Sequence, residues 1–507
     1  MEKIAYFEFF ITNIKNEQVN EITDDITHLL NELSKLDPKC LREKDYEKLI
    51  KYLPLSLNIY NDQVIAAACN VIASLSTDEL ARQYFGQKII ISTVNIFKSL
   101  INRSVKDKYI QECFLQTCRA IGNLCYYHEE NTKHALKEGC LIITMKVIKT
   151  ISEESLLSVL IGLLLNLTHL DGYSYKFPDD MIEELNALGI KYINNNNFKL
   201  YINLSSIMIN IVRKSSNIRK ITDYEKCSFI DNLLDKYYMH LNITSICVKF
   251  IKQVSKTYNV YSWILKKKHK ALVLILDEYE KNQEEEAKCI VKKICDIIIL
   301  LSNDDNSMDN DKQAEVIYLV EWLLLKVHSN NLYIKLSAVR SLGNFSRFKY
   351  ESNNIGKIPA KVILKHISCF INTLEKSVSD RNSLMEVSIL CMFKNILYVT
   401  NFEFMEENDQ NKLIKSTIEV LNHTTFNPII MKSLDVIGCI IQKGGINQRQ
   451  LLLYKNSTFI KQVTTYCSSD DEDISLKAKK LLYCIDEYIS EEFDVTQSVE
   501  DNLQIIN

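Results

Sequence analysis

One apolar helical segment recurs along this chain at an interval of about 45 residues, and that recurrence constrains the fold more than any other feature. Its clearest copies are Ala67-Ala68-Cys69-Asn70-Val71-Ile72-Ala73, Arg119-Ala120-Ile121-Gly122-Asn123-Leu124-Cys125 and Leu163-Leu164-Leu165-Asn166-Leu167-Thr168. Further copies centre on Asn210, Asn344 and Asn395, and weaker ones on Lys252, Ile299, Cys439 and Cys484. Successive landmarks are separated by 53, 43, 44, 42, 47, 45, 51, 44 and 45 residues.

A helical unit of that length is the armadillo or HEAT period. Within one unit, Phe114, Cys118, Ile121 and Cys125 follow i, i+4, i+7, i+11 and form one apolar stripe. Asn123 lies about 200° around the helix from Ile121, so it points away from that stripe. A polar break at 128–131, a short helix, Glu138-Gly139-Cys140 and a second apolar stretch follow. A glycine turn at that place favours armadillo over HEAT. The expected fold is all-α: a right-handed superhelical armadillo solenoid of about ten units. Residues 1–50 are expected to form atypical cap helices, 51–486 the array and 487–507 an acidic flexible tail. The tracts 102–108, 303–311 and 468–473 read as surface loops.

Composition agrees. Only 11 glycines and 5 prolines occur in 507 residues, which leaves few breakers or φ > 0 turns for an all-β or disordered chain. Gly139 and Gly189 are expected at turns, and Gly122, Gly162, Gly343 and Gly438 on third helices, where close approach is possible. Sixty-one basic and 64 acidic side chains give a net charge of −3, which provides no global field for nucleic acid. Fifteen cysteines are scattered without a C-x-x-C pair, and the N-terminus has no clean apolar signal, so free thiols in a cytosolic protein are expected. The longest apolar run, Leu156 to Leu165, is too short to span a bilayer.

Searches for catalytic or metal chemistry find no supporting pattern. His128 and His134 have no third partner, and Cys113, Cys118 and Cys125 fall on the apolar stripe, so they read as buried small hydrophobes. No H-E-x-x-H, G-x-S-x-G or phosphate-binding glycine pattern occurs. No cofactor and no metal is expected. The basic run Lys266-Lys267-Lys268-His269-Lys270 reads as a solvated helix end, with an anionic partner as the sharper alternative.

What remains is the row of asparagines. Arg119/Asn123 and Arg340/Asn344 are i, i+4 pairs sharing a face. A row of amides can hydrogen-bond the backbone of an extended partner without reading its sequence. The alternative is that individual asparagines cap helix ends or bond a neighbouring turn.

At these residues the chain resembles the small-GTPase GDP-dissociation stimulator family (SmgGDS; Vimar in flies). The run from Leu115 to Tyr126 is similar to the family's signature repeat. A second match joins Glu321-Trp322-Leu323, Ser329-Asn330-Asn331 and the run from Ala338 to Arg347. Weaker similarity extends from about residue 60 to 460. The resemblance implies a non-catalytic, monomeric, cytosolic armadillo protein, with family members also at the endoplasmic reticulum and mitochondria. Its implied partners are small GTPases of the Rho, Rap, Rac and Ras type with a polybasic, prenylated tail, and neither nucleic acid nor membrane insertion. The implied activities are atypical nucleotide exchange and GTPase chaperoning. It implies a groove containing Asn344, Arg340 and Arg347, with Asn395, Asn123, Arg119, Asn166 and Asn210 lining it. The sequence departs from the family in two places: Phe348 stands where a second groove asparagine occurs, and Lys256-Thr257-Tyr258-Asn259 stand at the family's acidic patch. Acidic substitutes could come from 278–286 or the loop at Asp304. Other readings are an armadillo scaffold or a nuclear-import adaptor of the importin-α kind. The latter requires Trp one turn before its Asn, a spacing that neither Trp263 nor Trp322 has.

Overall fold

The computed structural model describes residues 2–13, 23–101, 103, 107–151, 153–169, 177–178, 180–213, 228–255, 261, 263–303, 312–347, 359–400, 405–444, 449, 452 and 457–487. Among them the regular elements are all helical, as the periodicity predicts. The chain divides into two compact units, Met1–Phe250 and Ile251–Asn507.

The first unit contains α1 (Glu2–Asn13), α2 (Thr23–Leu33), α3 (Glu43–Leu57), α4 (Asp62–Leu75), α5 (Glu79–Leu100) and α6 (Lys108–Cys125). It continues with α7 (Glu129–Lys137), α8 (Cys140–Thr150), α9 (Glu154–Thr168), α10 (Met181–Tyr192), α11 (Phe198–Val212) and α12 (Ser228–Tyr237). The division falls within α13 (Leu241–Val254). The second unit holds a π-turn at Ile264–Lys268, then α14 (His269–Tyr279), α15 (Glu285–Asn303), α16 (Gln313–Lys326) and α17 (Leu332–Phe345). After these come α18 (Pro359–Leu364), α19 (Ile367–Ser379), α20 (Ser383–Val399), α21 (Glu407–His423), α22 (Asn427–Lys443), α23 (Ser457–Tyr466) and α24 (472–487).

Each unit has two helical layers. In the first, α2, α4, α6, α9 and α11 pack in succession, each against the next; α3, α5 and α7 form part of the second layer. In the second unit α15, α17, α20 and α22 form the corresponding row, backed by α14, α16, α18, α19 and α21. The rows form because every helix has an apolar stripe that a single hairpin cannot bury. Phe114, Cys118, Ile121 and Cys125 are all 1% exposed or less, so the predicted stripe is the core face of α6. Burying one such large side chain contributes about 1.5–3 kcal/mol.

Five of the row helices, and α24, start with one device. Asn61, Asp107, Asn197, Asn331, Asn382 and Asp471 each accept backbone N–H bonds from the first turn of α4, α6, α11, α17, α20 and α24. Each cap contributes roughly 1 kcal/mol. Asp471 thus makes part of the acidic tract at 468–473 a helix start. Gly139 adopts φ 80° between α7 and α8 as expected, and Gly86 adopts φ 42° at a kink inside α5. Gly189 departs from expectation: it lies within α10 rather than at a turn, where an added Cβ would meet the Phe229 ring at 2.4 Å.

Candidate functional site

The asparagine row faces away from the second layer, as its phase around α6 requires, and each side chain is half-buried. Five of its six amide groups already have partners within the protein, Asn70 being the exception among the described residues. Asn123 Nδ2 donates to Ala73 O at 2.7 Å, Asn166 Nδ2 to Gly122 O at 2.8 Å, and Asn395 Nδ2 to Gly343 O at 2.7 Å. Asn210 Nδ2 reaches Thr168 Oγ1 at 3.4 Å, and Asn344 Nδ2 reaches Ser302 Oγ at 3.1 Å.

Every one of these bonds runs to the end of the preceding row helix. For the three that end on a backbone carbonyl the reason is local: the last carbonyls of a helix lack intrahelical donors, while Thr168 and Ser302 offer a hydroxyl at the same place. Tyr126 N bonds Asn123 O, which leaves Gly122 O open to Asn166. Arg347 N likewise bonds Asn344 O, and Gly343 O takes Asn395 Nδ2 together with Ser346 Oγ. The asparagine is therefore a clasp between consecutive repeats. Among the described residues the amide oxygens of Asn123, Asn166 and Asn395 have no protein partner, so each can still accept from a ligand.

The arginines share a face with their asparagines but bond elsewhere. Arg119 Nη1 donates to Gln116 Oε1 at 3.0 Å. Arg340 Nε donates to Ser388 Oγ on the next row helix at 3.4 Å, and Arg347 Nη2 to Asn303 O on the previous one at 2.6 Å. Arg119, Asn123, Asn166 and Asn210 belong to the first unit; Arg340, Asn344, Arg347 and Asn395 belong to the second. Phe348, Lys256 to Asn259 and the loop from Asp304 lie outside the described residues.

Two features of the row were not expected from sequence. In the first unit, α2, α4 and α6 enclose a groove of about 360 Å³ lined by Asp24, Asn31, Gln63, Asn70, Glu112 and Gln116 among others. Its lining carries carboxylates and amides, with no lysine or arginine. In the second unit, Asp296 joins three elements: Lys252 Nζ lies 2.5 Å from Oδ2 and Tyr333 OH donates to Oδ1 at 2.6 Å. Burial, followed by Asp296, pushes the Tyr333 phenol well above its usual range. Lys252 occupies the asparagine position of its repeat, and there an ion pair to the following row helix replaces the clasp.

Trp322 supports the stack rather than the groove. Its Nε1 donates to Asp277 at 3.2 Å, joining α16 to α14, and the residue is 8% exposed. Lys326 pairs with Asp277 at 2.7 Å and Glu280 at 2.5 Å beside it. An indole held this way is unavailable to stack on a partner's lysine. The predicted buried cysteines are buried, and desolvation raises the Cys69, Cys140 and Cys295 thiols to about 12. The lysine run at 266–270 is a π-turn leading into α14, with Lys268 and His269 buried rather than solvated. Among the described residues no group of three metal-ligating side chains converges, and no helix is long and apolar enough to cross a membrane.

No family model matches the chain. It is 21% identical over 456 residues to the Rap1 GTPase-GDP dissociation stimulator 1-B of Xenopus laevis, covering 83% of this chain and 67% of that protein. It is 22% identical over 468 residues to the GTPase-GDP dissociation stimulator vimar of Drosophila melanogaster, covering 88% and 69%. Its fold is similar to a chain from a structure describing a phosphorylation switch in the cadherin–β-catenin interaction, with a TM-score of 0.62 at 10% identity, covering 95% and 94%. An engineered protein gives a TM-score of 0.55 at 12% identity, covering 96% and 99%. Those two likenesses carry the all-α repeat fold and no more.

Proposed function

We propose that this chain regulates small GTPases by binding them, without covalent chemistry. The observation that carries the reading is similarity to GDP dissociation stimulators across 83–88% of the chain, in the two relatives described above. The asparagine row supplies a suitable surface: its amide oxygens remain available and arginines lie beside them.

On this reading the GTPase contacts Arg340, Asn344 and Arg347, with Asn395 from the next repeat, and Phe348 adjoins them in sequence. Arg119, Asn123, Asn166 and Asn210 provide the same type of surface in the first unit. The partners are GTPases of the Rho, Rap, Rac and Ras type that carry a polybasic, prenylated tail. Exchange follows if the bound GTPase conformation holds GDP poorly, because a binder shifts a population by its differential affinity. Chaperoning needs only the binding step.

The test is release of labelled GDP from purified Rap and Rho proteins, with and without this chain. Acceleration of release is the expected result. Neither acceleration nor binding to either GTPase would sink the proposal. Arg340→Ala and Asn344→Ala test the site separately: normal binding by both variants would remove the site assignment and leave the function standing.

A further inference from the structure

The last repeats of the second unit gather three lysines around one carboxylate and place a fourth in the same cleft. Asp435, on α22, is 14% exposed, and Lys394 Nζ from α20 lies 3.3 Å from its Oδ2. Lys432 Nζ lies 3.8 Å from the same oxygen, and Lys477 from α24 pairs with Oδ1. Lys480 lines the same cleft and is exposed. The cleft has a volume of about 220 Å³ and includes the amide of Gln442.

Three ammonium groups meet one carboxylate and a fourth lysine lines the same cleft, a surplus of three positive charges. Ammonium groups drawn to one acceptor repel each other, most strongly where water is partly excluded. Asp435 Oδ2 is buried and both Lys394 and Lys432 approach it, while Lys477 takes Oδ1, so one carboxylate is shared among three ammonium groups. An incoming anion would relieve that repulsion.

We propose that this cleft docks an acidic, extended segment of a partner protein, at a site separate from Asn344 and independent of the small-GTPase reading. Neighbouring row helices pack about 8–10 Å apart, which an extended chain covers in about three residues. Carboxylates at every third position would let one enter the Lys394, Lys432 and Lys477 cluster while a neighbour reaches the exposed Lys480. Gln442 can pair with the backbone of such a segment. Among the described residues lining the cleft there is no aromatic side chain on which a base could stack.

The probe is a short labelled peptide with Glu at every third position, titrated onto the full chain by fluorescence anisotropy. Binding that weakens steeply with salt is expected, with a loss of about tenfold or more in a Lys477→Glu/Lys480→Glu variant. Asp435→Asn removes the internal competitor and should tighten binding several-fold. Lys480→Glu alone changes an exposed side chain, so unchanged affinity there would refute the site without ambiguity about folding. Tighter binding of a single-stranded oligonucleotide of equal charge would overturn the peptide assignment in favour of nucleic acid. Residues 488–507 contain five acidic side chains and no lysine or arginine. If their deletion raises peptide affinity tenfold, and a peptide of that sequence competes, the occupant is this chain's own tail and the partner proposal fails.

Discussion

Asn166 and Gly122 stand 44 residues apart in the chain, yet the Asn166 amide donates to the Gly122 carbonyl at 2.8 Å. That bond joins α9 to the end of α6 and gives a helix-terminal carbonyl the donor its own helix cannot supply. Replacing Asn166 by Ala should cost about 1 kcal/mol. Asp, which presents only acceptors at neutral pH, should cost more. Urea denaturation midpoints of the two variants check the order; an Asp variant as stable as wild type would contradict the clasp.

Two glycines on helices should respond to Ala with opposite signs. At Gly189 the new Cβ meets the Phe229 ring at 2.4 Å, and a buried ring cannot withdraw freely. Overpacking of this kind costs about 1–3 kcal/mol. At Gly162, on α9, nothing lies within 4 Å of the new atom, and a helix-interior Gly→Ala change gains about 0.5–1 kcal/mol. Thermal melting of both variants distinguishes the signs.

Acid should weaken the stack between α14 and α16. Burial pushes the Glu280 carboxyl upward, but bonds from Lys326 and Ser329 outweigh it and hold the group below its ordinary 4.5. A carboxylate with a depressed folded-state pKa contributes stability above about 4.5, and that contribution is lost as pH falls through the lower folded value. A Glu280→Gln variant should start less stable at pH 6 and lose less than wild type between pH 6 and pH 3. Equal losses in the two proteins would exclude Glu280 from the acid response.

Thiol reactivity should divide by burial. Cys40 and Cys289 are exposed, whereas Cys69, Cys113, Cys118, Cys125 and Cys140 are buried. With Cys69 and Cys140 raised to about 12, those thiols carry almost no thiolate near neutral pH. Brief maleimide treatment of the native protein, mapped by mass spectrometry, should mark Cys40 and Cys289 and leave the α6 cysteines unmodified until denaturant is added.

The repeat and its core face were legible in the sequence because both depend on local spacing. Phe114, Cys118, Ile121 and Cys125 announce a stripe within one helix, and Gly139 announces the turn after it. Partners in other repeats were not legible. Nothing near Asn166 in sequence points to Gly122, and Lys394 and Lys477 reach Asp435 from two other helices. Gly189 illustrates the same limit: a glycine needed for a close neighbour and one needed for a turn look alike until Phe229 is placed. The caps at Asn61, Asp107, Asn331 and Asn382 did carry a readable signal, a short polar residue just before an apolar run.

The clasp has a direction, since in all five instances the asparagine bonds backwards and the acceptor belongs to the repeat made earlier. During synthesis, a repeat leaving the ribosome therefore carries open acceptors at its trailing helix end until the next asparagine emerges, 42–52 residues later. Shortening the array from its C-terminal side reopens an acceptor that water can satisfy. Shortening it from the N-terminal side instead leaves a half-buried amide without its acceptor. The two ends of such an array are thus chemically unequal, and an insertion that shifts one asparagine out of register would uncouple its repeat from everything already folded behind it.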